Sequence, residues 1–382
     1  MFRASKSIVA KATLLRSIRQ GTFRAGEKLP PERELCRTLG VSRVLTGNAL
    51  RELAEEGWLE RRVGDGTYVA DASHARVASP LQSVGIVFPD RHPAAQLVLD
   101  GLNEVLHATT CDLRFQSSQG NVQEEMRFVR VLLDRGTQSL LVFTSFPFDS
   151  TEGAAFYREI HACAPLVMTD CFVEGGFSTV ATDNGRGSEI AADYLWKTCG
   201  GPGTFWVIRK SSRVSALEER VRGFSQRMQS LAGNGPNIVE VPQDDLPEQK
   251  QVIADALRNE VPAGVFLTSE LQLPVLFEAL DSVGLSRQNV AVCCYDNFHS
   301  LATLYGVAYL EQPCRAVGRE AARCLQQQWQ QPGEAVKHVR LVPLLVRPLA
   351  PSAAGQATAA GKMPVAANPI HAMAQSAGTP ST

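Results

Sequence analysis

Residues 29–69, LPPERELCRTLGVSRVLTGNALRELAEEGWLERRVGDGTYV, read as two short helices, a tight turn and a β-hairpin. Pro30 and Pro31 set an extended entry, and Glu32, Arg33 and Glu34 open a helix whose apolar positions are Leu35, Cys36 and Leu39. Gly40 ends it and Ser42 is a natural N-cap for the next helix. There Thr46, Ala49, Leu50 and Leu53 fall on one helical stripe and face inward. The opposite stripe carries Arg43, Val44, Gly47, Asn48 and Arg51. Gly57 stops this helix, Trp58 and Leu59 begin a strand, Gly64-Asp65-Gly66 turns it, and Thr67-Tyr68-Val69 returns. A second helix with a polar outer face is the element that helix-turn-helix proteins lay in a DNA major groove, and a following hairpin makes a wing. Arg61 and Arg62 on that wing are placed to meet phosphates or a minor groove.

Working outward, residues 5–20 read as an amphipathic helix with Ile8, Leu15 and Ile18 on one side. Residues 71–82 are polar and without period, as a linker would be. From Ser83 onward short apolar runs alternate with helical stretches: VGIVFPD, CDLRFQS, SLLVFTS, PLVMTD, STVATDN, TFWVIRK, NIVEVP, AGVFLTS and VAVCCYD, with helices between nearly all of them. That alternation predicts an α/β fold with doubly wound parallel sheets. Some 265 residues exceed one such sheet, so two lobes are expected. Ligands of open α/β sheets sit beyond the carboxyl ends of the strands, so the residues closing each run are site candidates. Residues 351–382 are Ala, Pro, Gly, Ser and Thr with almost no charge, a composition that buries no core and predicts disorder.

Charge divides the chain in the same way. Residues 1–70 hold 13 Lys or Arg against 8 Asp or Glu, which leaves 25 against 31 for the rest of the totals of 38 and 39. A basic head on an acidic body suits a DNA-binding module joined to a ligand-binding one. The nine cysteines form no C-x-x-C pair and stand near no His at zinc spacing, so no metal site is expected. Most lie in apolar runs, and Cys293-Cys294 inside VAVCCYD reads as buried strand. With neither a secretory signal nor an apolar run of membrane length, a cytoplasmic protein with reduced thiols and no membrane contact is expected.

The stretch quoted first resembles the winged-helix domain of the GntR family of bacterial transcription regulators, through LPPEREL, LGVSR, AL..L..EGWLE and G.GTYV in order and spacing. The resemblance covers about the first seventy residues. It implies DNA contacts from Arg33 and Arg43, while Asn48 and Arg51 follow from helix geometry. Ser42, Val44, Arg61, Arg62, Gly64 and Gly66 complete the candidate DNA-binding set. The chain departs from the family pattern at Pro31, where Ser is usual, and at Leu45, Thr46 and Gly47, which stand where the family, one variable residue after Ser-Arg, usually has Thr-Val-Arg. Leu45 loses a hydroxyl, Gly47 loses a cation, and Thr46 stands in for Val as an inward isostere.

Residues 83–347 resemble the effector-binding domain of the LacI/GalR family, which shares its fold with periplasmic sugar-binding proteins. The motifs are VGIVFPD, PLVMTD, VATDNGRGSEIAADYL, ERVRGF, VAVCCYDN and LEQPCRAVGREAARCL. The resemblance implies ligand contacts from Asp170, Arg220 and Asp296, with Asp90, His92 and Glu270 as further effector candidates. Ser269-Glu270 replace the family's usual Asn-Asp, and Asp183 is expected to cap the helix after it.

Together these imply domains at 1–70, 71–82 (linker), 83–350 and 351–382 (tail). Hybrid regulators of the arabinose-repressor type join these two kinds of domain. The expected function is a cytoplasmic repressor, a homodimer on an inverted-repeat operator, whose DNA binding responds to a small polar effector, a sugar by the family's habit. An enzyme is not expected: no nucleophile elbow, phosphate loop or metal triad is present, and no catalytic residue or cofactor is assigned. The alternative is a DNA-binding regulator with a degenerate pocket and no effector. Arg220 is expected to be needed for the effector response, and its truncation to leave folding nearly intact with some loss of stability, since Asp296 loses a cationic neighbour.

Overall fold

The computed structural model describes residues 6–19, 21–55, 57–62, 64–70, 82–89, 93–107, 111–243, 245–331 and 335–347. The expected linker (apart from Gln82), the tail at 351–382, and Asp90 and His92 lie outside the described residues.

The head contains helices α1 (Lys6–Arg19), α2 (Glu32–Leu39) and α3 (Arg43–Glu55) and the strands β1 (Leu59–Arg62) and β2 (Gly66–Val69). Gly40 ends α2 in the left-handed region, at φ +65°, and its N–H bonds back to the Arg37 and Cys36 carbonyls. The inward stripe of α3 is buried as the spacing predicts: Ala49, Leu50 and Leu53 pack with Leu35, Leu59, Val69 and, from α1, Ala10 and Leu14. Leu15 and Ile18 lie at the margin of this core, and the Ile8 side chain is outside those described. Thr46 is buried too, but it is more than an isostere of Val. Its hydroxyl donates to the Ser42 carbonyl at 3.2 Å and faces the Cys36 thiol at 3.2 Å, so the polar atom is satisfied inside the core. β1 and β2 pair antiparallel from Leu59 with Val69 to Arg62 with Gly66. The segment before α2 adds to the sheet: the Gly26 and Leu29 N–H groups donate to the Val69 and Thr67 carbonyls, and Val69 N–H to Glu27.

The body consists of two six-stranded sheets. The first holds β3 (Gln82–Phe88), β4 (Cys111–Ser117), β5 (Ser139–Val142), β6 (Leu166–Thr169), β7 (Ser178–Thr182) and β13 (His338–Leu341), in the order β13-β7-β6-β5-β3-β4, all parallel. The second holds β8 (Phe205–Lys210), β9 (Asn237–Val241), β10 (Gly264–Leu267), β11 (Ala291–Tyr295), β12 (Ala308–Glu311) and β14 (Leu344–Val346), in the order β14-β12-β11-β10-β8-β9. The two orders correspond strand for strand. Helices α4 (Pro93–Leu106), α5 (Val122–Asp134), α6 (Thr151–Cys163), α7 (Asn184–Thr198), α8 (Ser215–Ala232), α9 (Leu246–Asn259), α10 (Leu273–Ser282) and α12 (Cys314–Gln330) are joined by a one-turn helix α11 (Leu301–Tyr305). Separate apolar clusters on the two faces of each sheet make the core. The adjacent Cys293 and Cys294 point to opposite faces of β11, both fully buried, and burial pushes both thiols up, which keeps them protonated and inert.

The chain passes between lobes after β7, after β12 and after β13. β13 ends at the cleft, and only Val342 and Pro343 separate it from β14. β14 therefore enters the second sheet from the cleft side and runs antiparallel to β12. Among the described strands this is the one departure from the expected all-parallel sheets, and it arises because no helix-length crossover separates β13 from β14.

Two helix pairs cross closely enough to exclude a side chain. A Cβ on Gly101 of α4 would fall 2.0 Å from the Arg315 carbonyl oxygen, and one on Gly318 of α12 would fall 2.0 Å from that of Val98. In the second lobe a Cβ on Gly223 of α8 would fall 2.4 Å from the Gly185 carbonyl oxygen.

Candidate functional site

The outer surface of α3 is assembled as the sequence predicts. Ser42 sits at its start with Oγ 3.5 Å from the Leu45 N–H. The Arg43 side chain is 83% exposed and Val44 is 72% exposed. Asn48 and Arg51 are paired, Arg51 Nη2 donating to Asn48 Oδ1 at 3.1 Å, with Glu55 3.9 Å from Arg51 Nε. Arg33, on α2, is exposed and has no ion pair among the described residues.

The wing separates two arginines that the sequence treats alike. Arg62 is paired with Glu60 at 3.2 Å and stacks 4.2 Å over the Tyr68 ring, whereas exposed Arg61 has no ion pair among the described residues. The Tyr68 hydroxyl and the Lys28 ammonium both donate to Asp65, at 2.7 and 2.9 Å, and hold its carboxyl below the usual range. Gly64 and Gly66 make the turn with positive φ, and the Lys28 stem covers the space a Gly66 side chain would need. These contacts make Arg62, Gly64 and Gly66 parts of the wing's frame and leave Arg61 as its available cation. Arg61→Ala should weaken binding to all DNA sequences alike and lower the salt slope by about one. Arg43→Ala should instead cost about 1–3 kcal/mol and relax one base pair. Affinities across an operator library at several salt concentrations check both, and identical behaviour of the two variants would refute the division.

In the body, Asp170 closes β6 and Asp296 closes β11, which occupy the same place in the two sheet orders. Both adopt left-handed backbone, φ +59° and +73°, and both donate their N–H to the neighbouring strand, to Val180 and Leu310. Non-glycine residues take this conformation at a cost that clusters at ligand sites. Arg220, in α8, is 5% exposed. Its Nε donates to Asn184 Oδ1 at 2.9 Å, its Nη1 to the Thr268 carbonyl at 2.8 Å, and Nη1 lies 3.6 Å from Asp296 Oδ2. The guanidinium stands 3.8 Å over the Tyr295 ring, and Tyr295 donates its hydroxyl to the Asn184 carbonyl at 3.0 Å. Gln312, at the second interlobe passage, donates Nε2 to Asp296 Oδ1 at 2.7 Å, and its buried Oε1 has no hydrogen-bond partner among the described residues. Asn184, Tyr295 and Gln312 went unassigned in the sequence, although each lies beside a quoted motif residue. Asp183 caps α7 as expected, accepting from the Arg186 N–H.

Asp170 is half-buried on the facing lobe. Next to it, the Phe172 N–H donates to Ser215 Oγ of the second lobe at 2.9 Å. Burial, then the Asp170 charge, pushes the Cys171 thiol well up. The rim is bridged as well: Phe148 N–H donates to the Arg213 carbonyl at 3.0 Å, Arg213 pairs with Asp149 at 3.4 Å, and Arg340 pairs with Glu219 at 3.2 Å.

Glu270 is not placed as the sequence reading expected. It is 1% exposed, and its oxygens are taken by the His299 N–H and ring Nδ1 and by the Leu301 N–H. It holds the start of α11, because a buried carboxylate takes the free N–H groups nearest to it. On the first lobe a second buried carboxylate, Glu125, accepts from Thr144, Tyr157 and the Ser145 N–H at 2.5–2.6 Å and so fixes the loop after β5. Burial raises its pKa.

Two α/β lobes joined by three strand connections, with an aspartate closing the corresponding strand of each, define the two-lobed class of fold, and this chain belongs to the periplasmic binding protein domain family, whose model matches residues 85–298. Residues 7–69 match the model of bacterial regulatory proteins of the gntR family. The arabinose metabolism transcriptional repressor of Geobacillus stearothermophilus is 22% identical over 346 residues, covering 85% of this chain and 92% of that protein. Among solved structures, the Caulobacter myo-inositol binding protein bound to myo-inositol superposes with a TM-score of 0.60 at 21% identity, over 70% of this chain and 94% of that one. A LacI family transcriptional regulator from Enterococcus faecium with bound ribose gives 0.55 at 19%, over 70% and 97%. The two structures establish the shared fold. Among the described residues no helix is long and apolar enough to cross a membrane.

Proposed function

We propose that this protein is a cytoplasmic transcription repressor whose operator binding is set by a small polyhydroxylated effector, a sugar or cyclic polyol, held between the lobes of residues 83–350. The observation that carries the reading is the matched pair of left-handed aspartates, Asp170 and Asp296, on opposing lobes, with Arg220 beside Asp296 in the second lobe. Carboxylates offer acceptors and guanidinium a fork of donors, the set that hydroxyl-rich ligands need. The names of the relatives support it: one is an arabinose repressor, and two structures hold myo-inositol and ribose. The protein acts without catalysis. It binds as a homodimer to an inverted repeat, because one recognition helix reads only a few base pairs.

A ligand that grips both lobes favours the closed cleft in proportion to its differential affinity. Thermal-shift measurements against pentoses, hexoses, inositols and nucleosides should find at least one compound that raises Tm and alters operator affinity. If no compound shifts Tm while the protein still binds its operator, the pocket is silent and the effector half of the proposal falls.

A further inference from the structure

α3 carries no side chain at the centre of its outer face, yet that place is filled. Gly47 lies one turn beyond Arg43 on the same stripe, since residues four apart are neighbours on a helix. A Cβ built on Gly47 would fall 2.7 Å from Oε1 of Glu32, the first residue of α2. Glu32 Oε2 lies 3.9 Å from Arg43 Nε, and its side chain is 34% exposed, so the carboxylate is partly covered and still open outward. Its position is fixed at the other end by the first turn of α2, where an acidic residue is favoured by the helix dipole. The surface of α3 thus presents, in sequence along one stripe, a guanidinium from its own Arg43 side chain and a carboxylate lent by the preceding helix.

We propose that Glu32 is a specificity-determining residue of operator recognition, standing on α3 in the place left vacant at Gly47 and reading a cytosine beside the base pair read by Arg43. The proposal rests on α3 being the DNA-reading helix. In the major groove a carboxylate accepts from the cytosine N4 amine, and an arginine donates both arms to guanine O6 and N7. The ion pair aligns the two groups before DNA arrives. It also discriminates, because a carboxylate facing any base edge without a donor is left desolvated and unpaired.

The test is selection from a randomised duplex DNA library by the full-length protein and by Glu32→Gln, Gly47→Ala and Arg43→Ala, each checked for folding by a thermal melt. A glutamine pairs with adenine through N6 and N7, so Glu32→Gln should exchange a selected cytosine for adenine at one position, changing the preference there by roughly fivefold. Gly47→Ala pushes the flexible Glu32 tip aside and should blunt preference at that same position. Glu32→Gln selecting the wild-type sequence unchanged, or losing affinity equally for all sequences, overturns the proposal. If Arg43→Ala also selects the wild-type sequence, the reading of α3 as the recognition helix fails as well, which is a separate outcome.

Discussion

Replacing Arg220 with alanine should destabilise the protein by about 3–5 kcal/mol, because the change leaves a buried carboxylate without its cation. In urea melts this is a large displacement of the midpoint, and in a thermal scan a fall of about 10 °C. The guanidinium has three polar partners, Asn184, Thr268 and Asp296, and lies against Tyr295, all in an interior where Arg220 is 5% exposed. From sequence alone the residue reads as a ligand contact whose loss leaves folding nearly intact with some loss of stability; its burial among these partners raises the loss to be expected. Arg220→Lys keeps the charge but not the planar fork, so it should recover part of the stability and little of the effector response. A loss for Arg220→Ala below about 1 kcal/mol, the range of an exposed pair, would show that the cluster is far more hydrated than its burial implies.

Gly318→Ala is the second large effect expected. On an isolated helix the change would gain about 1 kcal/mol. Here the added methyl meets the Val98 carbonyl oxygen at 2.0 Å, and backbone cannot step aside as a side-chain tip can. α12 and α4 must separate, and overpacking of this kind costs about 3 kcal/mol. The net should be a loss of about 2 kcal/mol. Equilibrium unfolding of Gly318→Ala decides it, and a stabilised variant would mean that the two helices part without penalty. Gly101→Ala, against Arg315 on the other side of the same crossing, should behave alike.

These positions show where sequence reading succeeds and where it stops. The head was legible because its signals are local. Gly40 and Ser42 punctuate two helices, and a stripe four residues apart names the core. The α/β alternation was legible for the same reason, since β5, β6 and β10 are runs of four buried residues between helical stretches. β12, β13 and β14 were not, being three or four residues long and defined by partners far away in the chain. Asp170, Arg220 and Asp296 could be singled out by motif, but the backbone that links the two aspartates could not. Glu270 shows the limit. A carboxylate at a strand's end looks the same in sequence whether it turns toward a ligand or toward the free N–H groups of its own lobe. Arg61 and Arg62 differ in the same way, through the Glu60 and Tyr68 contacts of only one of them.

The three passages between the lobes have a mechanical meaning. They leave after Thr182, Glu311 and Leu341, and two are stitched together where the Asp183 N–H meets the Leu341 carbonyl at 2.8 Å. A panel held by three short straps has fewer ways to move than one held by a single strap. On the proposed function, an effector in the cleft would then signal through the few ways these straps let the lobes turn. Compounds of different shape would be told apart by how far they let the lobes turn, and two that leave the lobes in the same place would be the same signal.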